Sequence, residues 1–450
     1  MNELAAILRK AGVVGAGGAG FPTYAKLSAE VDFLVANGAE CEPLLNKDQV
    51  LMTNYPEIVL DGMGQMMGAI NAKKGIIAIK SKHHESISAL NQKLSSTKLP
   101  VEVSQIPDIY PAGDEVVLIY ETLKRVVPPG ALPATVGSLV DNIETLLNVS
   151  LAVQGEPVTA KYVTVTGWVN HPVTLKLPVG APLSKALELA GGPSVRDFAV
   201  ILNGLMMGTP VTDLDLPVTK TTSALLVLPS YHPVVLSKQK KLENMIKIAR
   251  SACTSCSHCS ETCPRRLLGH PVQPHLVMRA VGYFSLPDGT SENSLPEICE
   301  KARYCVGCGV CDLICPMGLS PRSINTYIKN LLPKKSFTPG NGNVVPLESR
   351  EGLRFPAGRV NIKLGITELI NIHPPLREII PDEIPKVRLV LKQGIGVAAV
   401  PVTKEGQMVK KGELVAEPPD GQLGAALHSS IGGKVTVVTS QEIVVEKAGR

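Results

Sequence analysis

The sequence predicts a multidomain protein of mixed class, α/β at its start and α+β beyond, and three observations lead there. The chain has 450 residues, more than the ~250–300 that one hydrophobic core usually holds, so three or four domains are expected. Eight of its ten cysteines fall into two copies of one pattern, over positions 253–263 and 305–315. On either side of that block, short alternating apolar runs are punctuated by glycine turns, the pattern of small β-rich modules.

From the first residue onward, positions 2–11 have helical spacing and lead into Gly15-Ala16-Gly17-Gly18-Ala19-Gly20-Phe21-Pro22. The string satisfies G-x-G-x-x-G, but a dinucleotide turn needs a strand before the glycines and a helix directly after. Here a helix precedes and Pro22 follows. The segment is therefore read as a glycine loop of another kind, whose bare backbone admits a phosphate or a planar ring. It is too rich in glycine and too charged, with Glu3, Arg9 and Lys10, for a signal peptide.

Three later stretches join this loop: Asn37-Gly38-Ala39-Glu40-Cys41-Glu42-Pro43, Tyr110-Pro111-Ala112-Gly113-Asp114-Glu115, and Val140-Asp141-Asn142-Ile143-Glu144-Thr145. Together, in this order, they resemble the flavin domain of the NADH-binding subunit of respiratory complex I. The resemblance is closer still to the C subunit of Rnf electron-transport complexes and to the cobalamin reductases of propanediol-utilising microcompartments. It implies an FMN/NADH domain over residues 1–155. In it Gly15, Gly17 and Gly18 admit the flavin, Lys26 sits near its phosphate or ring, and Asn37 and Asn142 hydrogen-bond it. Glu42 and Glu115 face the nicotinamide nucleotide, and Glu40, Tyr110, Gly113 and Asp114 complete the set. Two positions depart from the complex I pattern: Ala16 replaces an arginine, and Asp114 replaces the first of two glutamates. Both bear on the strength of NADH binding.

Residues 156–232 read as a β-rich module. Positions 162–166 alternate like a half-buried strand ending at Gly167, 173–177 form a second, and 184–190 a short helix closed by Gly191-Gly192-Pro193. More strand follows at 198–202 and 224–228. Strands around one helix suggest a β-grasp fold, and the pieces around Gly192 and Asn203-Gly204-Leu205-Met206-Met207-Gly208 resemble the soluble-ligand-binding β-grasp family. Such a module binds a corrinoid or acts as a spacer between flavin and clusters. Met206 and Met207 are expected to pack rather than to bind.

Residues 236–332 hold the cysteines, preceded by a helical pattern over 238–252. The first run is Cys253, Cys256, Cys259 and Cys263, then Pro264; the second is Cys305, Cys308, Cys311 and Cys315, then Pro316. Zinc usually takes two separated Cys-x2-Cys pairs, and disulfide lattices belong to short secreted chains. Cys-x2-Cys-x2-Cys-x3-Cys-Pro is instead the spacing of bacterial two-cluster ferredoxins, in which the fourth cysteine of each run serves the other cluster. That arrangement implies two 4Fe–4S clusters, one on Cys253, Cys256, Cys259 and Cys315, the other on Cys305, Cys308, Cys311 and Cys263. Cys41 is expected to be a small buried hydrophobe and Cys299 a non-ligand. His83 and His84 read as an exposed pair and His258 as a spacer. The 41 residues between the runs carry helical patches over 275–283 and 295–304, favouring a helical ferredoxin domain.

A linker is expected over 333–365, where proline, glycine, asparagine and serine concentrate. Residues 366–450 show short strands and glycine turns that resemble a barrel-sandwich hybrid of the biotinyl/lipoyl type. Lys410-Lys411 lacks the acidic neighbour of a lipoyl tip, so no attached cofactor is expected.

Net charge is only +5 and aromatics are few, which argues against a nucleic-acid partner. No run of about 18 apolar residues suggests a membrane span. A soluble, intracellular protein is expected. NADH delivers two electrons at once while clusters accept one, and a flavin converts between them. The resemblance as a whole implies electrons passing from NADH through FMN and two 4Fe–4S clusters to cobalamin. The product, cob(I)alamin, would feed adenosylcobalamin synthesis in a microcompartment, with an adenosyltransferase and shell proteins as partners. An Rnf-type or other NADH dehydrogenase subunit, passing electrons to ferredoxin or a membrane partner, is the alternative it leaves open.

Overall fold

The computed structural model describes residues 3–283, 297–333, 344–379 and 383–447. The first domain is a four-stranded parallel sheet in the order β3-β2-β1-β5. Its strands are β1 (Phe33–Asn37), β2 (Lys74–Lys80), β3 (Val101–Ile106) and β5 (Ser138–Asn142), with the short β4 (Ile109–Tyr110) outside it. Alternation along β1 sends Leu34 and Ala36 to one face and Val35 to the other. Both faces are covered, as an all-parallel sheet requires. Helices α1 (Glu3–Ala11), α2 (Lys47–Asn54), α3 (Pro56–Ala69), α4 (His84–Leu94) and α6 (Ile143–Val153) pack against the first face, and α5 (Glu115–Leu123) against the second.

The second module is a mixed sheet of β6 (Ala160–Gly167), β7 (Val173–Pro178), β8 (Phe198–Leu202), β9 (Thr209–Val211) and β10 (Ala224–Pro229) around α7 (Leu183–Leu189). The expected single helix over 238–252 is two: α8 (Pro233–Gln239) and α9 (Leu242–Ala252), separated where Lys240 turns extended. The break has a packing reason. Val234 and Val235 of α8 belong to the core shared with the β-grasp sheet, while Ala249 of α9 belongs to the core of the cluster domain. One straight helix could not turn an apolar face to both.

Among the described residues the cluster domain is helical. Short α10 (His258–Glu261), α11 (Pro264–Leu267) and α13 (Val310–Ile314) follow the cysteines, and α9, α12 (Pro274–Tyr283) and α14 (Pro321–Leu331) enclose a core of Ala249, Val277, Val281, Ile324 and Ile328. Cys299 is fully buried in that core. Positions 295–296 of the expected helical patch, and 334–343 of the expected linker, lie outside the described residues.

The rest of the expected linker is not free. Helix α15 (Arg350–Leu353) carries Arg350 into a buried ion pair with Glu121 of α5. Strand β11 (Phe355–Pro356) pairs with β4, and α16 (Ala357–Leu364) buries Val360 and Leu364. The C-terminal strand β12 (Leu376–Glu378) extends the β-grasp sheet beside β7. Beyond it lie two small sheets, one of β13 (Lys386–Val390), β15 (Met408–Val409), β18 (Gly433–Val438) and β19 (Glu442–Glu446), the other of β14 (Val400–Pro401), β16 (Leu414–Glu417) and β17 (Leu427–His428). Their core is continuous with that of the β-grasp module. No helix of the described residues is long and apolar enough to cross a membrane.

Candidate functional site

In an open parallel sheet the ligand crevice lies beyond the C-terminal ends of the strands, where strand order reverses. Here β1, β2 and β3 run outward one way and β5 lies on the other side of β1, so the reversal falls between β1 and β5. These strands end on Asn37 and Asn142, which are register partners. Asn142 caps α6 through Oδ1, which accepts from the Glu144 N–H, while its Nδ2 donates to Asp48. Asn37 Nδ2 donates to the Gly113 carbonyl at 2.9 Å.

The glycine loop lies over this point. Its ends are tied by the Gly15 N–H to Phe21 and the Thr23 N–H to Val13. The Ala16 N–H donates to the Thr145 hydroxyl at 3.0 Å. Gly17 rests against Asn142, where a Cβ would stand 3.4 Å from Asn142 Cβ. Gly18 has φ +135°, and a Cβ there would meet no protein atom within 4 Å. The Gly17, Gly18 and Ala19 N–H groups find no acceptor among the described residues. Three exposed, unpaired donors on a crest of two glycines and an alanine suit the oxygens of a flavin ring or its phosphate. Lys26 approaches from the β5 side, with Nζ 2.8 Å from both the Val140 carbonyl and Asp141 Oδ1.

Beneath the loop is a buried charge network that the sequence did not announce. Lys161 pairs with Glu144 and donates to the Ala16 carbonyl, and Lys47 bridges Asp48 and Glu144. Burial alone would raise Glu144, but Lys161 and Lys47 hold it below its ordinary range. Burial lowers Lys161 to about 8, against the pull of Glu144. Glu40 accepts from the Asp48 and Gln49 N–H groups at the start of α2, and burial with the Asp48 charge pushes its carboxyl up to about 7. Lysines are rarely buried, and nothing in the local sequence of Lys47 or Lys161 marks them. Thr145 belongs to the third of the motif stretches, yet only the folded loop reveals its hydroxyl as an acceptor.

The remaining acids do not gather at one spot. Glu42 turns to the β-grasp module, where its carboxylate accepts from the Met206 and Met207 N–H groups at 2.9 and 2.7 Å. Glu115 is exposed near Lys26, Asp114 and Arg265. Asp114 caps α5 by accepting from Val116 and Val117, and its second oxygen accepts from Arg265 at 2.9 Å. Met206 is buried as expected, but Met207 is half exposed. Of the histidine pair, His84 is exposed and His83 half-buried, with burial and nearby lysines lowering His83 to about 4.

The eight thiols form two sets. Cys253, Cys256, Cys259 and Cys315 line one small space, and Cys263, Cys305, Cys308 and Cys311 another. Each set takes its fourth member from the other run. Four thiols around one small space suit a cluster with one thiolate per iron. The second set adjoins the crevice at the ends of β1 and β5. The Tyr110 hydroxyl donates to the Cys308 carbonyl at 2.7 Å, and Arg265, the partner of Asp114, lies two residues past Cys263. Cys41 instead packs against Gly113, and burial pushes its thiol up to about 11.

Four families match the chain in sequence: the Nuo51 FMN-binding domain over residues 8–151, the SLBB domain over 162–210, the 4Fe-4S dicluster domain over 252–320, and the RnfC barrel sandwich hybrid domain over 375–449. FMN and two 4Fe–4S clusters are thus its cofactors, and electron transfer its chemistry. Over 441 residues the chain is 40% identical to a protein of Citrobacter freundii named cobalamin reductase PduS, covering 97% of this chain and 95% of that one. The Salmonella typhimurium protein of the same name is 40% identical over 447 residues, covering 99% and 96%. The C subunit of the proton-translocating ferredoxin:NAD(+) oxidoreductase complex of Clostridium ljungdahlii is 33% identical over 273 residues, 59% of this chain and 57% of that one.

Proposed function

Since the chain belongs to the PduS family of cobalamin reductases, we propose that this oxidoreductase takes electrons from NADH and delivers them to cobalamin, yielding cob(I)alamin for adenosylcobalamin regeneration. When bound, FMN converts the two-electron chemistry of NADH into the single electrons that 4Fe–4S clusters carry.

The observation that carries the reading is the loop from Tyr110 to Asp114. At one end of the crevice its Gly113 carbonyl accepts from Asn37, and on its other side Tyr110 and Asp114 hold Cys308 and Arg265. A single loop therefore links a crevice that would hold the flavin to the second thiol set. Gly17, Gly18 and Ala19 would offer their unpaired N–H groups to the flavin, with Asn37 and Asn142 setting its depth and Lys26 its charge. Glu115, exposed beside this crevice, would be the acid that meets a nicotinamide nucleotide. Glu42 would instead serve as a positioning residue, tying the flavin domain to the Met206–Met207 turn.

The assignment extends to a cytoplasmic protein housed in a diol-degrading microcompartment, with an adenosyltransferase and shell proteins as partners. Rnf-type relatives match 59% of this chain, whereas PduS proteins match it nearly end to end, which favours cobalamin over a membrane partner as the acceptor. Under argon, NADH should bleach the flavin absorbance of the purified chain, and cobalamin with an alkylating agent should then yield alkylcobalamin without membranes. Bleaching with no alkylcobalamin would reject cobalamin as the acceptor, and no bleaching would reject NADH as the donor.

A further inference from the structure

A cleft of about 470 Å³ opens between the cluster domain and the β-grasp module, within the ~300–1,000 Å³ of small-molecule sites. One wall is the second cysteine run itself, at Gly309, Asp312 and Leu313, and the facing wall is the β-grasp turn from Leu205 to Pro210. Val234, Leu242 and Met245 supply an apolar floor. The fourth side is the polar face of α14, whose apolar residues Ile324 and Ile328 turn into the domain core.

That polar face presents Ser323, Thr326, Tyr327 and Asn330, whose side chains make no hydrogen bond among the described residues. Two cations complete the rim. Lys238 donates to the Met206 and Gly208 carbonyls, and Arg322 to the Met206 carbonyl. Both are thus fixed to the turn whose N–H groups hold Glu42 of the flavin domain. Gly309 and Asp312, which line the cleft, directly follow Cys308 and Cys311 of the set whose Cys308 carbonyl accepts from Tyr110 on the other side. The Cys305, Cys308, Cys311 and Cys263 set accordingly stands between the flavin crevice and the cleft.

Resting on the cobalamin-reductase reading, we propose that this cleft is where the corrinoid docks and receives its electron. A corrin is an apolar macrocycle rimmed by primary amides and carrying one phosphodiester. The Val234–Met245 floor fits the macrocycle edge, the hydroxyls and carboxamide of α14 fit the amides as donors and acceptors, and Lys238 fits the phosphodiester. A cleft of this size takes one edge of the corrin and leaves the rest in solvent. The step would be a one-electron transfer: Cys263, Cys305, Cys308 and Cys311 would hold the reduced cluster that supplies the electron, Co(II) would become Co(I) as that cluster is reoxidised, and no bond to the protein would be made or broken.

The test uses cob(II)alamin with the intact, cofactor-loaded chain under argon. Thr326→Trp, which fills the cleft, should raise the Kd about tenfold or more, a loss of about 1.4 kcal/mol, while FMN and iron contents confirm that it is folded. Met317→Trp, exposed outside the cleft two residues past Cys315, should leave the Kd within about twofold. In the unaltered chain, cob(II)alamin should broaden the electron-paramagnetic signal of one reduced cluster, and the cluster lost in Cys308→Ala should be the one broadened. Unchanged binding by Thr326→Trp, the reverse pattern at Met317, or two magnetically isolated signals would overturn the cleft. Those results together with normal cob(I)alamin formation would leave the reductase reading intact. Binding in the cleft with no cob(I)alamin formed would sink the reading instead.

Discussion

Asp114 carries two loads with two oxygens: one caps α5, and the other holds Arg265 beside the second thiol set. Both partners of that pair are mostly buried, so removing one leaves an uncompensated charge. Asp114→Ala should therefore lower stability by about 3–5 kcal/mol, seen as earlier flavin release in a thermal melt. Asp114→Asn keeps the cap and should release flavin at an intermediate temperature; an alanine variant as stable as the parent would contradict this. At Gly18, backbone geometry and open space act together. A Gly18→Val chain must adopt φ +135° with a side chain where the ring or phosphate belongs, so it should lose FMN and keep its iron. Stoichiometric FMN in that variant would mean the crest has been misassigned. Thiols separate in the same way. Cys256→Ala and Cys308→Ala should each fall well below about eight irons per chain, whereas Cys299→Ala should stay there, since Cys299 packs among aliphatic side chains.

Elements show which features were legible in the sequence. The thiol runs were, because each triplet of ligands sits within seven residues and cluster chemistry dictates the spacing. Strands β6, β7, β8 and β10 and helix α7 were, because alternation and glycine stops are local signals. Glu42 was not: its acceptor role depends on a turn 164 residues away, and motif order alone suggested a nucleotide. Comparable separations hid the Asp114–Arg265 pair and the burial of Lys47 and Lys161. The split of α8 from α9 escaped because Lys238, Gln239, Lys240 and Lys241 are all good helix formers and carry no stop signal, and only the two separate cores require the break. The segment after residue 343 read as linker from its composition, yet Arg350 pairs with Glu121 and Phe355 pairs with Tyr110. Composition reports propensity, whereas these contacts are tertiary.

Across the whole molecule, Lys220 joins three domains. It comes from the β-grasp module, and its fully buried Nζ donates at 2.7 Å to the Gly12 carbonyl of the flavin domain and the Ala426 carbonyl of the sandwich. Burial lowers it to about 7, from an ordinary 10.5. Between those values the unfolded chain binds the extra proton, so this group's contribution to stability rises with pH from about 7 towards 10.5 and is least favourable below 7. Melting curves of the parent should show that rise, and Lys220→Met should lack that part of it; parallel pH profiles would contradict the burial of an uncompensated ammonium. The ammonium also holds the glycine loop's approach, Gly12, against the C-terminal sandwich. The flavin crevice, the second thiol set and the corrinoid cleft follow one another through such fixed contacts.

That order is the central claim, and the trapped yield of alkylcobalamin from a cluster-free chain tests it most directly. A Cys256→Ala/Cys308→Ala chain that retains FMN should still pass electrons from NADH to a small dye, because the crevice is intact. With cob(II)alamin and an alkylating agent under argon, it should form alkylcobalamin only at the background rate. Alkylcobalamin formed at the parent's rate would mean that cobalt is reduced at the flavin, and would contradict a route through the thiol sets.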